Sequence, residues 1–146
     1  EKVIAMMCGA RSGSSEVEIG RLGRVAFVTT IEPWHGDQVV VYREDGESWT
    51  RQVIDTIDGG HTIVTADFNG DGRDEIVTGD RGGARRLYLY AATDAEGTRW
   101  VRQVLDDGDM ATSGCTVEDL NADGRLDLVC IGGGTANLKW YENASP

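Results

Sequence analysis

A repeat of about 50 residues, period-two alternation inside each repeat, and 20 glycines against only 2 prolines predict an all-β chain. More narrowly, they predict a β-propeller segment of about three four-stranded blades. The repeat can be read off directly. Arg51-Gln52-Val53-Ile54-Asp55 recurs as Arg102-Gln103-Val104-Leu105-Asp106, and Trp49 recurs as Trp100, both at an offset of 51. Asp67-Phe68-Asn69-Gly70-Asp71-Gly72-Arg73 recurs as Asp119-Leu120-Asn121-Ala122-Asp123-Gly124-Arg125 at an offset of 52. The 146 residues hold blade units of about 1–57, 58–108 and 109–146. A closed propeller needs roughly four to eight blades, so this one is expected to close only by oligomerisation or as part of a longer chain.

Taken in order, the first unit reads as strands over 24–31, 38–43 and 49–55, with 3–9 as its innermost strand. The Gly- and Ser-rich segment 11–20 reads as a surface loop. The second unit gives strands over 61–68, 75–79, 86–91 and 100–105, each bounded by Gly or Asp clusters. The third gives 115–120, 126–131 and 137–142, and its fourth strand is missing. No stretch carries a 3.6-residue apolar period long enough for a helix. Trp49 and Trp100 stand at equivalent outer-strand positions and are expected between neighbouring blades. Trp140 and Tyr141 alternate faces, so at most one of them is core.

Composition limits the partners. There are 25 acidic residues against 14 basic ones, a net charge of -11, and that field repels nucleic acid and anionic lipid while attracting cations. No run approaches the ~18 apolar residues that cross a bilayer. The three cysteines, Cys8, Cys115 and Cys130, lack C-x-x-C spacing and support neither a disulfide framework nor a zinc ribbon. Cys115 and Cys130 lie in apolar runs and read as buried free thiols. A single bridge between them is the alternative in an oxidising compartment. The opening residues have no long apolar core or cleavage signature, so a signal peptide was either removed or never present.

Two acidic loops carry the chemistry. Asp67, Asn69, Asp71 and Glu75, then Asp119, Asn121, Asp123 and Asp127, put side-chain oxygens at loop positions 1, 3, 5 and 9, with Gly72 and Gly124 at position 6. Calcium takes six to eight oxygens, and such a loop can turn alternate side chains inward while glycine allows the bend. The carbonyl oxygens of Arg73 and Arg125, at position 7, would complete the shells. An EF-hand has its last carboxylate at position 12 between helices; here it is at position 9 between strands. Two divalent ions would bring the net charge from -11 to -7. Calcium affinities of extracellular modules, about 10⁻⁴ to 10⁻³ M, make an extracellular or periplasmic location the expectation.

These loops, each followed by an apolar strand ending in glycine, resemble the FG-GAP/VCBS repeats of calcium-binding β-propellers, and the resemblance covers most of 21–143. It implies that calcium loops join the first and second strands of a blade. The first unit has no such loop, and no ion is expected there. Glu32-Pro33-Trp34-His35-Gly36 and Asn137-Leu138-Lys139-Trp140-Tyr141-Glu142-Asn143 look like the propeller portion of the aldos-2-ulose dehydratase family, which acts on anhydro-keto-sugars with a far longer chain.

In a propeller, the loop between the second and third strands emerges beside the loop entering the innermost strand, opposite the calcium loops. Glu32, Trp34, His35, His61, Asp80 and Arg81 are therefore expected on one rim, which holds both histidines of the chain. Such a rim suits a carbohydrate or protein partner by stacking and hydrogen bonds. The alternative is a sugar lyase, a dehydratase acting on a keto-sugar. In it His35 or His61 moves a proton beside a carbonyl, and a metal or Arg81 stabilises the enolate. Neither a phosphate-binding loop nor a hydrolase triad is present in the sequence pattern.

Overall fold

The computed structural model describes residues 13–144. Among them, strands and no helices form three antiparallel sheets. The first sheet contains β1 (Val17–Leu22), β2 (Val25–Glu32), β3 (Gln38–Asp45) and β4 (Ser48–Thr56). The second contains β5 (Ile63–Ala66), β6 (Glu75–Gly79), β7 (Arg86–Ala92) and β8 (Trp100–Asp107). The third contains β9 (Thr112–Glu118), β10 (Asp127–Gly132) and β11 (Asn137–Tyr141). Each sheet is a meander in which strands consecutive in sequence pair, and none closes on itself. The arrangement is consistent with part of a β-propeller.

The sheets stack through two apolar layers. Phe27, Ile31, Val39 and Val41 of the first sheet meet Ile63, Ile76, Tyr88 and Tyr90 of the second. Val64, Val77 and Leu87 of the second meet Leu128 and Cys130 of the third. Burial of each of the larger apolar side chains contributes about 1.5–3 kcal/mol. The first strands of the sheets lie side by side: Thr65 Oγ1 donates to the Ile19 carbonyl at 3.0 Å, and the Cys115 N–H donates to Thr62 Oγ1 at 3.3 Å. Trp100 packs between the first two sheets, edge-on to Phe27 at 5.4 Å. Tyr141 packs into the second layer while Trp140 is exposed, as their alternation required.

The innermost strand of the first sheet is β1, which overlaps the segment 11–20 expected to be a loop. Gly20 disguises it, because glycine inside a short run reads as a breaker. Its true role is steric: a Cβ there would stand 2.1 Å from Cζ of the Phe27 ring on the paired strand. The expected strand over 3–9 lies outside the described residues. A tight turn at Gly23, with φ of 63°, then joins β1 to β2 where the other two sheets have acidic loops.

Cys115 and Cys130 form a disulfide, which corrects the free-thiol reading. Periodicity shows that each lies in an apolar strand. Only the β9–β10 register, which sets them directly opposite with Cα atoms 4.2 Å apart, makes them partners.

A bulge recurs at the same place in the first two sheets. On β4, Val53 and Asp55 pair with consecutive residues of β3, leaving Ile54 extra; on β8, Val104 and Asp106 do the same with β7, leaving Leu105 extra. An extra residue switches the face to which later side chains point. Asp55 therefore turns to the second sheet, where it accepts from Tyr90 Oη at 2.8 Å and Arg102 at 2.9 Å. Asp106 turns to the third, where it accepts from Tyr141 Oη at 2.8 Å and Lys139 Nζ at 2.7 Å.

Candidate functional site

The acidic loops fold to a common pattern. In the first, Asp67 accepts backbone N–H groups from Gly70, Asp71 and Gly72 at 2.7–3.1 Å. Asn69 Oδ1 accepts from Asp71, and Asp71 Oδ1 from Arg73, each at 2.9 Å. In the second, Asp119 accepts from Asp123 and Gly124, Asn121 from Asp123, and Asp123 from Arg125, at 2.9–3.1 Å. The position-9 carboxylates also correspond, Glu75 taking the Phe68 N–H at 3.1 Å and Asp127 the Leu120 N–H at 3.2 Å. Gly72 and Gly124 adopt φ of 80° and 87°, the left-handed bend for which position 6 needs glycine. The first loop is also pinned to the first sheet: Gly23 N–H donates to the Gly72 carbonyl at 3.0 Å, and Asp74 N–H to the Arg21 carbonyl at 2.7 Å.

Electrostatics separates the two loops. Burial pushes the Glu75 carboxyl up to about 7, and Asp71, Asp67 and Asp74 push the same way, against the N–H it accepts from Phe68. Asp127 is held below the usual carboxylate range, first by the Asn143 N–H and also by that of Leu120. Asp71 is lowered chiefly by its ion pair with Arg73, 2.7 Å away, and Asp123 pairs likewise with Arg125. Among the described residues, no three His, Cys, Asp or Glu side chains stand in metal-ligating geometry. The all-oxygen donor sets nonetheless suit a hard cation. For Asp71 or Asp123 to serve one with both oxygens, its arginine must let go.

The expected rim is divided by the structure. Trp34 lies against His35 with ring centroids 4.4 Å apart, and His35 lies 5.0 Å from His61. His35 has φ of 54°, and its N–H donates to Ser15 Oγ at 2.6 Å. Loss of hydration, then the Arg81 charge and His61, lower its pKa and favour the neutral imidazole. Trp34 is 65% exposed. Glu32 and Asp80 are instead buried inside their sheets, at 5% and 3% exposure. Glu32 accepts from Tyr42 Oη at 2.7 Å and from Arg51 at 2.8 Å. Asp80 accepts from Tyr88 Oη at 2.9 Å and the Asp58 N–H at 2.8 Å. Their oxygens tie the second and third strands of each sheet to neighbouring segments.

Sequence reasoning did not anticipate a cleft of about 590 Å³ between the second and third sheets. Val77, Leu89, Leu105 and Leu128 make its apolar wall, and Glu75 and Asn69 border it from the first acidic loop. Its only sequence signal is indirect: a third unit short of a fourth strand leaves part of the second sheet uncovered.

Residues 67–130 match the family model of the FG-GAP-like repeat. Among curated proteins, the aldos-2-ulose dehydratase of Phanerodontia chrysosporium is similar, 32% identical over 83 residues in a match that covers 44% of this chain and 9% of that protein. The chain therefore spans less than a tenth of that relative's length. The stretch that holds both acidic loops is thus the stretch similar to the FG-GAP-like repeat, within an all-β chain built as a propeller-like module.

Proposed function

We propose that this chain is a calcium-stabilised β-propeller module, acting outside the cytoplasm, that recognises a carbohydrate or protein partner on the rim opposite its acidic loops. The observation that carries the reading is one nine-residue loop occurring twice, with side-chain oxygens at positions 1, 3, 5 and 9 and with the position-1 aspartate accepting from the backbone N–H groups of positions 5 and 6 in both. Asp67, Asn69, Asp71, Glu75 and the Arg73 carbonyl would hold one ion; Asp119, Asn121, Asp123, Asp127 and the Arg125 carbonyl would hold the other. Bound calcium supplies the positive charge that crowded carboxylates lack and ties together the strands on either side of each loop. On the rim, the exposed Trp34 ring offers a stacking face, and the neighbouring imidazoles and Arg81 offer hydrogen bonds.

The expected test result is that Asp71→Ala lowers the melting temperature in millimolar calcium and changes it little in chelator. Equal shifts in both conditions would remove calcium from that loop.

A keto-sugar dehydratase is the second reading, favoured by the 5.0 Å approach of His35 to His61 beside Arg81 and by the name of the similar protein. Neutral His35 would take the proton beside the carbonyl, Arg81 would stabilise the enolate charge, and the β-hydroxyl would leave as water on return of that proton from the His35 imidazolium, giving the enone. Its assay follows formation of a conjugated enone from 1,5-anhydrofructose. Turnover that falls on the order of a hundredfold in His35→Ala or His61→Ala supports it, and turnover indifferent to both variants sinks it.

A further inference from the structure

Three loops at one end of the first two sheets are joined into a single platform by backbone hydrogen bonds. The Ile57 and Gly60 N–H groups donate to the Asp37 and Gly36 carbonyls at 2.7 and 2.8 Å, and those of Arg81 and Gly82 both donate to the Asp58 carbonyl at 3.1 Å. Buried Asp80 takes the Asp58 N–H at 2.8 Å, which fixes the middle loop to the second sheet. The first loop is wound so tightly that the Gly36 N–H reaches the Pro33 carbonyl at 2.6 Å, and a Cβ at Gly36 would stand 2.4 Å from the Pro33 nitrogen. Trp34 and His35 form the tip of that turn, and His61 stands 5.0 Å from His35.

The third loop brings charge to these rings. Loss of hydration and then the Arg81 charge lower the His35 pKa, so the guanidinium stands within electrostatic reach of the ring pair. Neither Arg81 nor Arg85 has an ion pair among the described residues, whereas Arg86 is paired with Asp107. The turn itself does not need these cations. The corresponding loop of the third sheet is Gly133-Gly134-Thr135-Ala136, and Ala136 adopts the same φ of 53° as Arg85. Nor is Arg81 held by Asp80, whose oxygens accept from Tyr88 Oη and the Asp58 N–H.

We propose, resting on the carbohydrate reading of this rim, that its ligand is an acidic sugar: a uronic acid unit stacked on Trp34, with its carboxylate taken by Arg81. A planar guanidinium matches a carboxylate with two parallel hydrogen bonds. The indole offers an apolar face to the sugar ring, and a neutral imidazole, one nitrogen donating and the other accepting, suits a hydroxyl that does both. A metal cation fits the same groups poorly, because the guanidinium repels it and no third ligating side chain joins the two imidazoles among the described residues. The net charge of -11 acts at long range and is screened beyond about 8 Å at physiological salt, which leaves the local guanidinium to decide. Every group lies at the junction of the first two sheets, so the site needs nothing from the outer faces of the first and third.

The probes are the methyl glycosides of glucuronic and galacturonic acid, their neutral methyl esters, and acetate, each titrated into the isotope-labelled chain at fixed millimolar calcium and followed by nuclear magnetic resonance. Saturable shifts of the Trp34 indole N–H are expected, with at least one acid binding about fivefold or more tightly than its ester and than acetate. In Arg81→Gln that acid should fall to the affinity of its ester, and in Trp34→Ala both should weaken. Both side chains are exposed, so the spread of the amide spectrum should remain that of the parent. Equal binding of acid and ester, or a preference for the acid that persists in Arg81→Gln, would overturn the acidic-sugar assignment while leaving a neutral-sugar rim intact. Acetate as tight as the acids would overturn it in favour of a bare anion site. No saturation by any probe up to about 50 mM would overturn both this assignment and the carbohydrate reading beneath it.

Discussion

Every tyrosine in this chain donates its hydroxyl to a carboxylate: Tyr42 to Glu32, Tyr88 to Asp80, Tyr90 to Asp55 and Tyr141 to Asp106. Only the neutral phenol can donate. Burial first, and the accepting carboxylate next, push Tyr42 up to about 12 and Tyr88, Tyr90 and Tyr141 upward as well. For a group whose pKa is raised on folding, the stability it lends is fully present below the unfolded value near 10 and is lost as pH rises through the folded value. The expected outcome is little phenolate absorbance in the folded protein at pH ~10, where a free tyrosine is half ionised. Its appearance at higher pH should coincide with loss of the β-sheet dichroism. Normal tyrosine titration in a still-folded chain would contradict these pairings. Sequence showed none of these pairs, because partners such as Asp55 and Tyr90 lie 35 positions apart and on different sheets.

At the scale of the element, the repeated bulge explains why Arg-Gln-Val-(Ile/Leu)-Asp recurs so closely. Without the extra Ile54 or Leu105, the aspartate would point away from the next sheet and miss its tyrosine. The recurrence was legible in sequence, but its reason was not, since a bulge is a property of two paired strands. The β9–β10 hairpin gives the matching test. Its disulfide closes a sequence separation of 15 residues across the second acidic loop. A loop of that length corresponds to about 3 kcal/mol in the chain-entropy account. Reduction with dithiothreitol is expected to lower the urea midpoint of the whole chain by an amount of that order. An unchanged midpoint, with both thiols shown to be free, would mean that packing alone fixes the hairpin.

For the whole molecule, the terminal sheets matter most. Ile131, Leu138 and Trp140 are exposed on one face of the third sheet, and Val17 and Ile19 on one face of the first. Inner sheets bury such faces against a neighbour; another blade, from a second copy or from further sequence, would sequester them. Light scattering after size exclusion, in millimolar calcium, is expected to show a discrete closed oligomer if copies complete the ring. A monomer would assign that role to further sequence.

The sequence by itself determined the all-β class, the repeat near 50 residues, the two acidic loops and most strand positions. These are local properties: period-two alternation, turn residues and recurring motifs are written in consecutive residues. It also placed His35 near His61, because strand order alone sends both loops to one end. Only the tertiary structure decided that Glu32 and Asp80 serve the sheets instead of the rim, that Cys115 meets Cys130, that β1 runs through Gly20, and that a cleft opens beside β11. Each of these depends on register or on stacking between sheets, where the interacting groups come from distant parts of the chain and a shift of one residue changes the face on which a side chain stands.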